Sequence, residues 1–114
     1  QYVEQKGMEF IDQLHRIIDE NLQNSEFNID TMAAEMGLSR SAFFKKVKNV
    51  TGFAPLDLIK EFRLSRAAEL IKHTDLSINE VAYRSGFKDS SYFGKCFRKR
   101  FGLSPRDYAS SSRE

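Results

Sequence analysis

With 114 residues, 40% of them hydrophobic, and few Gly and Pro residues, the chain suits one compact helical domain or two very small subdomains that share a helix. No apolar run approaches the roughly eighteen residues that cross a bilayer, and residues 1–10 lack the pattern of a secretory signal, so a soluble, cytoplasmic domain without membrane contact is expected. The net charge is +2, and the single cysteine, Cys96, excludes an internal disulfide and lies far from His15 and His73, so neither a zinc site nor another cofactor is expected.

The first predicted element is an amphipathic helix over residues 9–22. Its apolar side chains recur at helical spacing and predict one buried face. They are Phe10, Leu14, Ile17, Ile18 and Leu22. A polar loop over residues 23–28 follows.

An internal repeat organises the rest of the chain. Residues 29–55 recur as residues 78–105, so the sequence predicts two copies of one structural unit. Matching positions are 49 residues apart before the turn and 50 apart after it. The matches include Ile29 with Ile78, Met32 with Val81, Gly37 with Gly86, Phe43 with Phe93 and Pro55 with Pro105.

Each copy predicts two short helices around a tight turn. The first helix has Asp30 or Asn79 near its N-cap and stops at Gly37 or Gly86. The second starts at a good capping residue, which is Ser39 in one copy and Asp89 in the other, and continues to about residue 50 or 100. Its apolar positions fall at helical spacing and are Phe43, Val47 and Val50, or Phe93, Phe97 and Phe101.

The remaining segments complete an all-α fold of about seven helices. Residues 55–73 predict a connecting helix with an apolar face broad enough to touch both copies. Residues 106–109 predict a short final helix. The predicted subdomains are therefore residues 1–54, with the N-terminal helix, and residues 74–109, followed by a disordered tail over residues 110–114.

Charge is distributed unevenly along the chain. Residues 1–35 carry eight acidic against two basic side chains, a net charge of −6, whereas residues 36–106 carry fifteen basic against six acidic ones, a net charge of +9. A basic body behind an acidic first helix favours a polyanionic partner on one face. An ordinary solvated surface explains the charge alone equally well.

The exposed sides of the two second helices carry the same residue types. They are Ser41, Lys45 and Lys48, and, 50 residues later, Ser91, Lys95 and Arg98. Spacings of four and three place each set on one side of a helix. Because an α-helix fits the DNA major groove, where Lys and Arg donate to guanine, the pattern predicts two equivalent contacts with double-stranded DNA. Successive grooves are about 34 Å apart, and a connecting helix of about 18 residues spans about 27 Å, so the geometry is feasible.

The stretch RLSRAAELIKHTDLSINEVAYRSGFKDSSYFGKCFRKRFGLSP resembles the signature of the AraC/XylS family of transcription regulators, including its IxEVAxxxGF and YFxxxFRKxFGxSP elements. The resemblance covers about residues 10–108. The first copy, MGLSRSAFFKKVKNVTGFAP, is similar to the terminal domains of hybrid two-component regulators of gut Bacteroidetes, which control carbohydrate-utilisation genes. The resemblance implies that both recognition helices enter adjacent major grooves and that another domain supplies dimerisation.

The resemblance also implies which positions face the bases. They are Arg40, Ser41, Phe44 and Lys45 in the first copy, and Ser90, Ser91, Gly94 and Lys95 in the second. With the capping residues and the next helical turn, the predicted DNA-binding set also includes Ser39, Lys48, Asp89 and Arg98. Many family members have Arg where this chain has Lys45 and Lys95, and lysine lacks the planar fork of arginine, which weakens selectivity for guanine.

Three assignments stay open at this point. Phe44 contacts a thymine methyl group or packs on a neighbouring helix. Gly94 allows close approach of the helix backbone to DNA or reflects weak readout. Five further basic residues contact phosphate or form a solvated or helix-pairing surface, and they are Lys46, Arg63, Arg66, Lys99 and Arg100.

The other conspicuous side chains have structural explanations. Helical register predicts that the aromatic residues Phe43, Phe93, Phe97, Tyr83 and Tyr92 pack in the core. Cys96 is expected to be a buried or half-buried thiol, and both histidines are expected at the surface.

The sequence shows no nucleophile–base pair, paired carboxylates or metal-ligand set, so an enzyme is not expected. A protein-interaction module is the alternative, because helix-turn-helix folds are reused without DNA. The exposed sides of the repeated helices are polar and basic, which favours DNA binding. Since the sequence begins at Gln1, we expect a longer polypeptide with regulatory or dimerising domains.

Overall fold

The computed structural model describes residues 2–24 and 27–112, with side chains described from residue 8 onward. All seven elements in these ranges are α-helices, which confirms the all-α prediction. They are α1 (Tyr2–Asn21), α2 (Ile29–Glu35), α3 (Arg40–Thr51), α4 (Pro55–His73), α5 (Ile78–Arg84), α6 (Ser90–Phe101) and α7 (Pro105–Ser112). The chain divides into two compact units, Gln1–Lys60 and Glu61–Glu114. The subdomain limits at residues 54 and 74 stay a prediction.

In the first unit, α1 buries its apolar face against α2 and α3. The buried residues are those predicted, namely Phe10, Leu14, Ile17, Ile18 and Leu22. The helix begins at Tyr2, seven residues before the predicted start at Glu9. Glu4, Gln5 and Lys6 are good helix formers, so the helix extends to this start and continues through Gly7.

The second unit has a core rich in aromatic rings. Phe93 and Phe97 of α6 are fully buried, with ring centroids 5.6 Å apart. Phe97 lies 4.5 Å from Phe101 and meets the ring of Tyr108 edge-on at 5.2 Å. Since Tyr108 belongs to α7, these aromatic contacts attach the last helix to α6.

The N-caps of α2 and α5 each lie two positions before the residue that the sequence analysis placed near the cap. Asn28 Oδ1 accepts a hydrogen bond from the Thr31 amide at 3.0 Å, and Ser77 Oγ accepts one from the Glu80 amide at 3.1 Å. A capping side chain must reach the amide two or three residues ahead, so the residues just before Ile29 and Ile78 cap these helices, and Asp30 and Asn79 lie inside them.

Helix α7 is longer than predicted. It runs to Ser112, whose Oγ donates a hydrogen bond to the Tyr108 carbonyl at 2.8 Å. The prediction of a disordered tail is therefore wrong for residues 110–112. A helix as short as α7 is marginally stable alone, and packing of Tyr108 against α6 stabilises it. The rest of that prediction, residues 113–114, lies outside the described residues.

Candidate nucleic-acid interface

The predicted recognition helix of the first unit, α3, has one buried and one exposed side. Phe43 and Val47 are fully buried beneath it. Ser39 Oγ accepts a hydrogen bond from the Ala42 amide at 3.2 Å, so Ser39 caps the helix as predicted. The exposed side carries Ser41, Lys45 and Lys48.

The equivalent helix of the second unit, α6, repeats this arrangement. Phe93 and Phe97 form its buried side. Asp89 Oδ1 accepts a hydrogen bond from the Ser91 amide at 2.8 Å and caps the helix, which confirms the second predicted cap. The exposed side carries Ser91, Lys95 and Arg98. Each unit therefore presents one hydroxyl and two cations from a helix whose opposite side holds the core.

The structure places the predicted DNA-binding residues at the surface. Every one is exposed except Gly94, which is half-buried. Two of them already have a structural role, because the oxygens of Ser39 and Asp89 accept bonds from their own helices. Contact with DNA stays a prediction for the whole set.

The positions of Phe44 and Gly94 correspond in the two units, but they differ in character. Phe44 is 45% exposed and lines a shallow depression with Arg40, Ser41 and Lys45, so an apolar ring lies among polar groups on the exposed side of α3. A Cβ atom built on Gly94 meets nothing within 4 Å. The protein itself therefore does not require glycine at this position.

An ion pair at the start of α3 was not predicted from the sequence. Arg40 Nη1 donates to Asp30 Oδ1 at 3.0 Å, and the two side chains are 65% and 67% exposed. The pair joins the first turn of α2 to the first residue of α3. Nothing in the sequence marks it, since the two residues are ten positions apart on different helices.

Several of the further basic residues take part in pairing within their own units. Lys46 Nζ lies 4.6 Å from the ring centroid of Phe10. Arg100 Nε donates to both carboxylate oxygens of Glu61, at 2.7 and 3.0 Å. Arg63 is half-buried, and burial lowers the pKa of its guanidinium. The exposed members of this group are Lys46, Arg66, Lys99 and Arg100.

Two aromatic predictions are wrong. Tyr83 is 62% exposed and Tyr92 is 53% exposed, whereas both were expected in the core. On α5 the smaller neighbours Val81 and Ala82 fill the core in place of Tyr83. On α6 the buried residue is Phe93, which directly follows Tyr92. A hydrogen bond with the Cys96 side chain raises the pKa of the Tyr92 hydroxyl. Cys96 itself is half-buried, as expected.

Neither a metal-binding cluster nor a membrane-spanning helix is found in the described parts of the chain. No group of three or more His, Cys, Asp or Glu side chains within residues 2–24 and 27–112 could hold a metal ion. No helix in those ranges is both long and apolar enough to cross a bilayer.

Sequence comparison identifies relatives for most of the chain. A profile of the family described as "Helix-turn-helix domain" matches residues 32–111. Histidine kinase P4 of Formosa agariphila is 39% identical over 93 residues, which are 82% of this chain and 7% of that protein. The HTH-type transcriptional activator RhaS of Escherichia coli (strain SE11) is 38% identical over 82 residues, which are 72% of this chain and 30% of that protein. The chain thus spans a small part of these relatives.

A solved structure shows the same fold. The DNA-binding domain of AdpA, a global transcriptional factor crystallised in complex with a target DNA, superposes with a TM-score of 0.78 at 31% identity. The match covers 88% of this chain and 92% of that domain.

Proposed function

Because the chain belongs to the AraC/XylS family of helix-turn-helix DNA-binding domains, we propose that it is the sequence-specific DNA-binding domain of a bacterial transcription regulator. One observation carries the proposal. Helices α3 and α6 each bury two core side chains and expose a serine and two cations on the other side. A polar, basic helix surface with a rigid apolar back fits the major groove of DNA.

Each recognition helix enters one major groove, and the two grooves are adjacent on the duplex. Lys45 and Lys95 donate to base edges or to phosphates, and the serine at the start of each exposed side contacts bases or the DNA backbone. Lys48 and Arg98, one turn further along, add positive charge next to the phosphates. Phosphate contacts set the register of the domain, and base contacts give it sequence preference.

The first unit carries more of the sequence discrimination. Arg40 and Phe44 add a guanidinium and an apolar ring to its recognition surface, and the exposed ring can contact a thymine methyl group. The second unit has Ser90 and Gly94 at these positions, so it offers fewer groups that distinguish one base pair from another.

In the intact protein, this domain is the DNA-reading end of a longer regulator. Its likeness to part of histidine kinase P4 supports a two-component regulator in which sensing or dimerising domains belong to the same polypeptide. The domain acts in the cytoplasm, where bacterial DNA is located. Regulation of carbohydrate-utilisation genes, as in the similar hybrid regulators of Bacteroidetes, is the corresponding biological role.

The proposal is tested by the salt dependence of DNA binding. A duplex is first selected from a random pool, and its affinity is then measured by fluorescence anisotropy over a range of salt concentrations. With roughly six phosphate contacts, the logarithm of the association constant should fall with the logarithm of salt concentration with a slope near −5. A slope between zero and about −1 would contradict the proposal.

A charge-matched control distinguishes DNA contact by a recognition helix from the effect of the protein's overall charge. Lys95→Ala should make the slope shallower by about 0.9, because one phosphate contact is lost. Arg16→Ala removes the same charge from the exposed surface of α1 and should leave the slope unchanged. Equal slopes for the parent and both variants would show that Lys95 does not contact phosphate, whereas a parent slope between zero and about −1 would favour a helical protein-interaction module, the alternative function.

A further inference from the structure

The ion pair between Asp30 and Arg40 distinguishes the first unit from the second. Arg40 is the first residue of α3, and residues at the start of a recognition helix contact base edges. A carboxylate 3.0 Å from its guanidinium therefore lies at the edge of the proposed DNA-binding surface. In the second unit the equivalent positions hold Asn79 and Ser90, which carry no charge.

The pair is easily exchanged for another partner. Both side chains are about two-thirds exposed, and exposed ion pairs are weak because water and salt screen them. The bond through Nη1 uses one of the five N–H donors of a guanidinium. Arg40 can therefore bind DNA, but its positive charge is partly offset by the adjacent carboxylate.

This geometry affects two kinds of DNA contact to different extents. Non-specific binding depends on net positive charge close to the phosphates, and Asp30 cancels the charge of Arg40 there. A base-edge contact depends on the direction of the N–H donors, which Asp30 restricts without occupying all of them. The carboxylate thus weakens the first kind of contact more than the second.

We propose that Asp30 is a positioning residue for DNA recognition, which acts through Arg40 and raises the preference of the first unit for its own sequence over random DNA. The inference rests on the proposed DNA-binding function. It assigns a role in specificity to an acidic residue outside the recognition helix. The second unit has no equivalent of this pair, in agreement with its smaller set of discriminating groups.

The test compares Asp30→Asn with the parent on the selected duplex and on a random-sequence duplex. Asp30→Asn should bind random DNA more tightly, steepen the salt slope on that DNA by up to about 0.9, and lower the ratio of specific to random affinity by about two- to five-fold. Circular dichroism checks that the variant is folded. If the parent itself does not bind DNA, the proposed function fails. A parent that binds and a variant with an unchanged ratio and slope overturn the positioning role alone.

Two further variants show whether Asp30 acts through Arg40. In the Arg40→Ala background, Asp30→Asn should have no further effect on the ratio. A persisting gain in random-DNA affinity would mean that the carboxylate acts directly on DNA, and it would overturn the inference. Glu69→Gln removes an equal charge that pairs with His73 on α4. This control should leave the ratio of specific to random affinity unchanged. A fall in the ratio equal to that of Asp30→Asn would show a general charge effect and would also overturn the positioning role of Asp30.

Discussion

Substitution of alanine for glycine is expected to have opposite effects on stability at two positions of the second unit. Gly94 lies within α6, and Gly102 ends it with a left-handed backbone at φ 80°. An added Cβ atom would meet nothing within 4 Å at either position. Both positions thus have room for a methyl group, and any difference in stability between Gly94→Ala and Gly102→Ala must come from the backbone conformation.

The expected magnitudes follow from that difference. In the interior of a helix, alanine is more favourable than glycine by about 0.5–1 kcal/mol, so Gly94→Ala should raise the free energy of unfolding by that amount. At Gly102 an alanine must adopt the left-handed conformation, which costs about 1–2 kcal/mol and outweighs the gain from restricting the unfolded chain. Gly102→Ala should therefore lower the free energy of unfolding.

Urea unfolding followed by circular dichroism measures both variants against the parent, with the free energy extrapolated to water. The expected order of stability is Gly94→Ala, then the parent, then Gly102→Ala. A destabilised Gly94→Ala would refute the conclusion that the protein leaves room at this position. If Gly102→Ala matched the parent, its left-handed conformation would not be the reason for the glycine.

DNA binding by Gly94→Ala then tests the function of the open space. If the backbone of α6 comes close to DNA at this residue, the added methyl group should weaken binding although the fold is more stable. The increased stability excludes misfolding as the cause. An unchanged affinity would show that Gly94 reflects weak readout rather than close approach.

Two other predictions concern the recognition helices and the core. Lys45→Ala should weaken DNA binding by about 1–3 kcal/mol and relax the base preference in the half of the DNA site that α3 contacts, whereas Lys95→Ala should weaken binding to all sequences more evenly. Binding to operators that are mutated in one half at a time measures the difference, and unchanged binding by both variants would disprove the assignment. Ser85→Ala should raise the free energy of unfolding by about 1 kcal/mol, because the Ser85 hydroxyl is fully buried and makes no hydrogen bond within the described residues; a loss of stability in thermal unfolding would show that the hydroxyl is satisfied.

The repeat in the sequence was sufficient to predict most of the fold. Equivalent Phe and Val positions predicted the buried sides of α3 and α6, and the capping residues Ser39 and Asp89 predicted where these helices begin. Such features depend on local periodicity and on hydrogen bonds between near neighbours in sequence. They are therefore visible in one chain without its structure.

Features that depend on packing between helices could not be predicted. Tyr83 and Tyr92 have apolar rings and lie next to buried positions in the sequence, and only the packing of α5 and α6 decides that they are exposed. The pairs of Arg40 with Asp30 and of Arg100 with Glu61 join different helices over ten and 39 residues, respectively. The periodicity of apolar residues predicts which face of a helix is buried, but it does not predict which other helix packs against that face.

The separation of the two sides of α6 has a consequence for how such regulators change over evolution. Phe93 and Phe97 contribute to stability, while Lys95 and Arg98 are exposed and lie outside the core. Substitution at an exposed helical position normally changes stability by less than about 0.5 kcal/mol. If α6 contacts DNA as proposed, new operator preferences can therefore be acquired one exposed residue at a time, without compensating changes in the core. The same separation makes α6 a suitable helix on which to engineer altered DNA targets.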